Sequence, residues 1–317
     1  MLQLLNTLFH IPEAASLAEA VENGGCPAAI TGLAGVHRAQ LAAALSMRCK
    51  RPLVMICADE SEANRLAEDI AVLLGDAPLR LFSRELFVKA GTVISRQWEI
   101  ARIATLHELS RGGGRPLVCT AEGLLQKTSP MDRMAQSAIT LAVGERYDLT
   151  DLPLRLVAAG YSRCDQVEGV GQFALRGGIL DVFSPLMEEP VRCEFFDDEI
   201  DSLGSFDIAS QRRTKNISSA LLLPAEELLP DAPLASVFEY LPHDALLVLS
   251  ESMRVAERVK TILFQSREDT ESLLAAGEKD GDLTKLLLSQ SEWEEELSRF
   301  PVIMAETLPT SRYPLKP

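Results

Sequence analysis

The residues Thr31, Gly32, Leu33, Ala34, Gly35, Val36, His37, Arg38 and Ala39 stand where a phosphate-binding loop would act, between a short apolar run and the start of a helix. A working loop reads G-x-x-x-x-G-K-S/T. Its second glycine lets backbone N–H groups wrap the phosphates, its lysine reaches the β- and γ-phosphates, and its hydroxyl binds Mg²⁺. Counted from Gly32, those three places hold His37, Arg38 and Ala39. The close-approach glycine is replaced by a bulky ring and the hydroxyl is missing. Arg38 keeps the charge without the compact point-charge geometry of lysine. A helix N-terminus still attracts anions, so an incidental sulfate or phosphate is compatible with this loop. Catalytic ATP hydrolysis is not expected.

Asp59 and Glu60 close the apolar run LVMICADE and superficially resemble a Walker B carboxylate. Such a carboxylate would have to act with the absent lysine and hydroxyl, so Asp59 is read as a helix cap. The six cysteines (Cys26, Cys49, Cys57, Cys119, Cys164 and Cys193) are dispersed without a C-x-x-C pair, and the four histidines are scattered. No metal, cofactor or nucleophilic catalysis is expected from that pattern. The net charge of −15 is spread along the 317 residues and repels phosphate backbones, which excludes tight sequence-independent DNA binding as an expectation. The apolar stretch Met1–Ile11 lacks a basic flank and a small-residue cleavage site, and no apolar run reaches membrane-spanning length. The expected compartment is the cytoplasm, with no membrane partner.

A different chemistry, recognition of a protein partner, is carried by Gln172–Asp207. Gly177 and Gly178 read as a two-residue hairpin loop. Pairing across it sets Arg176 opposite Ile179, Leu175 opposite Leu180, Ala174 opposite Asp181 and Phe173 opposite Val182. Alternation then puts Phe173, Leu175, Leu180 and Val182 on a wholly apolar face, with Arg176, Ala174 and Asp181 outward. In the next strand Val191, Cys193 and Phe195 continue the core, while Arg192, Glu194 and Phe196 point outward. Ile200, Leu203 and Phe206 supply more core. Two arginines, a glutamate and a phenylalanine on one outer face are a set suited to binding. Burial of Phe196 under another part of the chain is the alternative.

The runs RGGILDVFSP, EEPVRCEFFDDEIDS and FDIASQR, followed by LLLPAEE, resemble the small domain shared by the repair helicase UvrB and the Mfd family of transcription-repair coupling factors. The match is specific over about Tyr161–Glu227 and collinear elsewhere. In that family the domain is the docking surface for the damage-recognition ATPase UvrA. The resemblance assigns the UvrA contacts to Arg176, Arg192, Glu194 and Phe196, the same outward set. UvrB typically has a further arginine where this chain has Ala174, which favours the N-terminal UvrB-like module of an Mfd-type factor. It also implies an ATP-driven DNA translocase and contacts with RNA polymerase and DNA in other parts of such a protein, and a C-terminal domain that masks the docking face. A UvrB-like ATP-dependent helicase or nucleotide hydrolase is the alternative. Two departures concern connections. UvrB inserts a long Tyr-rich hairpin where Arg80–Arg102 is short and has no tyrosine. Pro230–Leu241 is shorter than in several Mfd proteins, as in a trimmed subfamily or an engineered truncation.

The elements that must position these residues fall into three stretches. Helices are expected at Pro12–Asn23, Arg38–Arg48, Asp59–Leu74 and Ser95–Arg111, and strands at Ala28–Thr31, Pro52–Ala58, Leu79–Phe82 and Pro116–Thr120. Apolar strands alternating with amphipathic helices indicate an α/β parallel sheet covered on both faces. From about Met131 to Asn216 the pattern changes to short strands and turns. A strand at Ala245–Ser250, helices at Glu251–Gln265 and Asp282–Arg299, and a strand at Val302–Ala305 then restore the alternation. The expected fold class is therefore a degenerate P-loop or helicase-like parallel-sheet domain split by an inserted small β-rich domain. The expected boundaries are 1–126, 127–217 and 218–317. The end at Tyr313–Pro317 reads as a cut within a longer protein.

Overall fold

The computed structural model describes residues 2–86, 96–185, 187–229, 232–277 and 282–317. The described strands are β1 (Ala28–Ile30), β2 (Leu53–Cys57), β3 (Leu79–Leu81), β4 (Leu117–Thr120), β5 (Ile139–Ala142), β6 (Ser162–Arg163), β7 (Gln172–Arg176), β8 (Ile179–Val182), β9 (Val191–Phe196), β10 (Glu199–Phe206), β11 (Arg213–Asn216), β12 (Ser219–Leu222), β13 (Leu246–Ser250) and β14 (Val302–Ala305). The helices are α1 (Leu2–Thr7), α2 (Pro12–Asn23), α3 (Gly35–Cys49), α4 (Glu60–Leu74), α5 (Gln97–Ser110), α6 (Ala121–Leu125), α7 (Met131–Ser137), α8 (Leu152–Ala158), α9 (Ser252–Ala275) and α10 (Gln290–Ser298).

The fold is mixed α/β, and the chain divides into two compact units. The first comprises residues 1–94, 111–127 and 236–317. Its sheet has the order β1-β14-β13-β2-β4-β3 and is parallel throughout. Every residue of β2, β4, β13 and β14 is buried, as continuous apolar runs demand when both faces are covered. Strands β13 and β14, from the far end of the chain, lie between β1 and β2. The sheet is thus completed only when both chain segments are present. Helix α4 starts where expected: Asp59 accepts the Glu62 N–H at 2.9 Å, and Gly75 closes the helix at φ 80°.

The second unit comprises residues 95–110 and 128–235. Its main sheet has the order β11-β10-β9-β8-β7-β6, antiparallel except for the β6–β7 edge, and β5 pairs with β12 separately. Phe173, Leu180, Val182, Val191, Cys193, Ile200 and Leu203 share a buried core with residues of α8, β5 and β12. Helix α5 belongs to this unit. Its fully buried Arg102 pairs with the fully buried Glu227 at 2.8 Å, and Glu99 accepts the Glu227 N–H at 3.3 Å. Glu227 ends the LLLPAEE run, so that motif is an internal anchor.

Three expectations need correction. The stretch after Met131 is not all strand: α7 and α8 interrupt it, and β12 extends beyond Asn216. Helix α9 runs ten residues past Gln265, to Ala275. Its later turns carry buried Ser266 and Thr270, and the Thr270 hydroxyl accepts the Leu283 N–H at 3.1 Å. The segment 282–299 is a short 3₁₀ turn followed by α10, because Ser289 and Glu292 form a capping box that restarts the helix. Residues 87–95 of the Arg80–Arg102 comparison, and residues 230–231 of the Pro230–Leu241 connection, lie outside the described residues. Among the described residues, no helix is long and apolar enough to cross a membrane.

Glu306, buried after β14, gives a pH test of the first unit. Its carboxylate accepts the Ser252 N–H at 3.0 Å. Burial raises its pKa, against the lowering effect of the Ser252 hydrogen bonds. A raised folded-state pKa means that the folded form binds the proton more readily than the unfolded form. Stability from this group is then present at acid pH and declines as pH rises through the raised value. Glu306→Gln keeps an acceptor for Ser252 and removes the charge. The melting temperature of the variant, relative to the native chain, should therefore rise between pH 5 and pH 8 by calorimetry. A pH-independent difference would contradict this assignment.

Candidate functional site

The hairpin β7–β8 has the expected register: Phe173 opposite Val182, Ala174 opposite Asp181, Leu175 opposite Leu180 and Arg176 opposite Ile179. Gly177 adopts φ 59°, a conformation glycine takes without steric penalty. Gly178 is required for a different reason. A Cβ there would lie 3.0 Å from the Phe195 carbonyl oxygen, because β9 runs alongside the turn and the Phe195 N–H donates to the Gly178 carbonyl at 2.7 Å. Strand β9 continues the register, with Arg192 opposite Asp181 and Glu194 opposite Ile179.

The face opposite the core is only partly open. Ala174 and Asp181, expected outward, lie on that face but are buried. They are covered by a second small core of Val167, Phe183 and Phe206, with Cys164, Val170 and Ile208 packed around it. The loop Cys164–Gly171 and the end of β10 thus form a lid over this half of the sheet. Phe206, expected in the main core, belongs to this second cluster.

Burying Asp181 requires cations beside it. Arg192 supplies two bonds, Nε to Oδ1 at 2.6 Å and Nη2 to Oδ2 at 2.8 Å. Arg176 Nη2 adds a third at 3.0 Å. Arg192 also donates to the Gln211 carbonyl at 3.2 Å and to Gln211 Oε1 at 3.1 Å, and its guanidinium sits 4.4 Å from the Phe206 ring centroid. Hydrogen bonding to Asp181 raises the Arg192 pKa further. The two arginines therefore differ. The Arg192 side chain is 19% exposed and its donors are engaged within the unit, whereas the Arg176 side chain is 54% exposed. Glu194 is half-open and held in place: Oε2 accepts from Ser202 at 2.7 Å, and Arg213 lies 3.1 Å from Oε1. Phe196 is 75% exposed, the most exposed large apolar side chain among the described residues.

The phosphate-loop position is in the first unit. Gly32 adopts φ 87°, and α3 begins at Gly35. His37 is exposed in its first turn; Ala39 is buried. Arg38 turns inward to the carboxyl ends of the parallel strands, the usual place for a ligand in such a sheet. There it bonds Glu62 at 3.0 Å and the Thr307 hydroxyl at 2.7 Å, and it pairs with Glu251. The Ser250 hydroxyl donates to Glu62 at 2.7 Å. Burial acts to raise the Glu251 pKa, but Thr307 and Arg38 outweigh it and hold that carboxyl below its ordinary value. Asp59 caps α4 and pairs with Arg254 at 2.9 Å. Among the described residues, no group of three or more metal-ligating side chains could hold a metal ion.

Residues 139–228 match the family model of the UvrB interaction domain. That matched segment lies within the second unit. The chain is also similar to transcription-repair-coupling factors. It is 38% identical over 62% of its length to that of Myxococcus xanthus, 30% over 81% to that of Bacillus subtilis, and 30% over 72% to that of Escherichia coli. These alignments span 17%, 22% and 20% of the respective relatives, so the chain corresponds to about a fifth of their length.

Within the matched segment, β7–β9 bring all four predicted residues to one face, three of them open to solvent. Sequence reasoning missed the side chains that hold them: Asp181, Ser202, Gln211 and Arg213. Asp181 carried a signal, as an acid flanked by Leu180 and Val182 in a strand with a buried partner. Gln211 gave none, since its role depends on a loop with φ 58°. The glycine step is a direct test of this local geometry. Gly178→Ala should destabilise the domain by about 1 kcal/mol or more, through contact with the Phe195 carbonyl. Gly169→Ala, where an added Cβ meets nothing within 4 Å, should leave the melting temperature nearly unchanged. Equal thermal shifts would refute the close-approach explanation.

Proposed function

We propose that this chain is a protein-docking module that binds UvrA through the open part of the β7–β9 face and hydrolyses no nucleotide itself. The observation that carries the reading is Phe196, solvent-exposed at the end of β9, on the same face as half-exposed Glu194 and Arg176. An aromatic beside fixed charges is the composition of an interface hot spot. The family match and the similarity to transcription-repair-coupling factors support UvrA as the partner. In such a factor, docking would bring excision repair to a stalled transcription complex. DNA translocation and contacts with RNA polymerase would belong to parts outside this chain, as would a domain that masks the face before activation.

The four residues take unequal roles. Arg176 makes a charge-assisted contact to a carboxylate on UvrA. Phe196 is the apolar anchor. Glu194, held by Ser202 and Arg213, presents a fixed negative charge to a cation. Arg192 acts mainly from behind the surface, by keeping Asp181 neutralised. Phe196→Ala and Arg176→Ala should each weaken UvrA binding at least about tenfold, or about 1.4 kcal/mol, with little change in melting temperature. A direct binding titration in which both variants match the native affinity would remove the assignment.

The rival reading, a nucleotide hydrolase, is opposed by Arg38. Its guanidinium is committed to Glu62, Glu251 and Thr307, and these two carboxylates would face any incoming phosphate. Calorimetric titration with Mg·ATP should therefore show no saturable binding to the native chain. Saturable binding with release of phosphate would establish the hydrolase instead.

A further inference from the structure

We infer that Ile179 is a second apolar anchor of the same docking face, and that the partner surface it fits is an apolar group bracketed by an acid and a base. The inference rests on the docking reading above. Ile179 begins β8 immediately after the glycine turn. Directly opposite residues in an antiparallel sheet share a face, with Cβ atoms about 5 Å apart. Ile179 is opposite Arg176 on one side and Glu194 on the other, and Glu194 is in turn opposite Ser202. Arg176, Ile179, Glu194 and Ser202 therefore form one row across four strands, with an apolar residue between the two charges.

Ile179 is 39% exposed, whereas the other β8 residues are buried. Phe196 lies two positions beyond Glu194 on β9, diagonal to Ile179 and within reach for an aromatic side chain. What separates their surroundings from an ordinary sheet face is the turn. The register that sets Glu194 opposite Ile179 carries Phe196 level with the Gly177–Gly178 turn, which bears no side chains, and a Cβ added at Gly177 would meet nothing within 4 Å. Ile179 and Phe196 are thus two exposed apolar side chains on one face, next to a turn without side chains. The two charges that flank Ile179 are fixed, Arg176 by Asp181 and Glu194 by Ser202 and Arg213. A complementary patch on UvrA would place an apolar side chain over Ile179 and Phe196, a carboxylate toward Arg176 and a cation toward Glu194. Charge complementarity of this kind sets orientation as well as affinity.

The test compares Ile179→Thr, Ile179→Met and Phe196→Ala in titrations against UvrA, with melting temperatures recorded for each. Threonine keeps the β-branched shape that suits a strand and removes apolar surface. Methionine keeps the apolar surface. Ile179→Thr should bind about fivefold or more weakly and Ile179→Met close to normally, both with near-native melting temperatures. If Ile179→Thr binds normally while Phe196→Ala is weakened, the inference about Ile179 fails and the docking reading survives. If neither Ile179→Thr nor Phe196→Ala weakens binding, both fail together.

Discussion

A carboxylate placed where the sheet has no water governs the second unit. Asp181 is 1% exposed and sits on the face opposite the main core. An isolated ionised carboxylate in such a place costs several kcal/mol, and the cost is offset only by well-placed cations and hydrogen bonds. Arg192 meets that demand with a bidentate pair and is itself held by Gln211 and by the ring of Phe206. Arg176 completes the coordination from the open side. The second small core of Val167, Phe183 and Phe206 is what removes water from Asp181 in the first place. Packing on this face and the arrangement of its charges are one problem with one solution. The ion pair fixes the guanidinium of Arg176 at the boundary between covered and open sheet.

The first unit resolves a similar problem with a different consequence. The carboxyl ends of its parallel strands gather Glu62, Glu251 and Thr307 around Arg38, with Ser250 bonded to Glu62. In a nucleotide-binding domain a lysine at that place would keep its charge available for phosphate. Here an arginine with a rigid fork of donors satisfies two carboxylates and a hydroxyl at once. The cation is consumed by the fold, and the acids that consume it add negative potential where a phosphate would have to enter. His37 and Ala39, where a phosphate-binding loop would carry a glycine and a hydroxyl, accompany that internal use of Arg38.

Much of this was legible in the sequence, for identifiable reasons. The parallel sheet shows in continuous apolar runs such as LVMIC and VIMA, which suit strands buried on both faces. The hairpin register follows from two glycines and strict alternation, and Arg176, Glu194 and Phe196 follow from the register. Alternation, however, only says which face a side chain occupies; it does not say whether that face is covered. Alternation places Ala174 and Asp181 on the outer face, yet both are buried there, because the Cys164–Gly171 loop and Phe206 fold over it. The extent of α9 was also hidden. Its last turns are polar in sequence, yet Ser266 and Thr270 are buried and bonded.

The contrast between Arg176 and Arg192 shows why a list of outward residues is not yet a binding site. Both arginines lie on one face and both reach the same carboxylate. Arg192 is opposite Asp181 in the register, against the Phe206 ring of the second core, and its donors are spent inside the unit. Arg176 is one row nearer the glycine turn, where the cover ends. One row of strand register, about 7 Å along β7, thus separates a structural cation from one that can meet a partner. The glycine turn sets that limit: it ends the strands, leaves no side chains beside Phe196 and exposes the last row of the sheet. Exposure on this face is therefore a property of where the second core stops, and the residues proposed to dock a partner are those that the register carries past its edge.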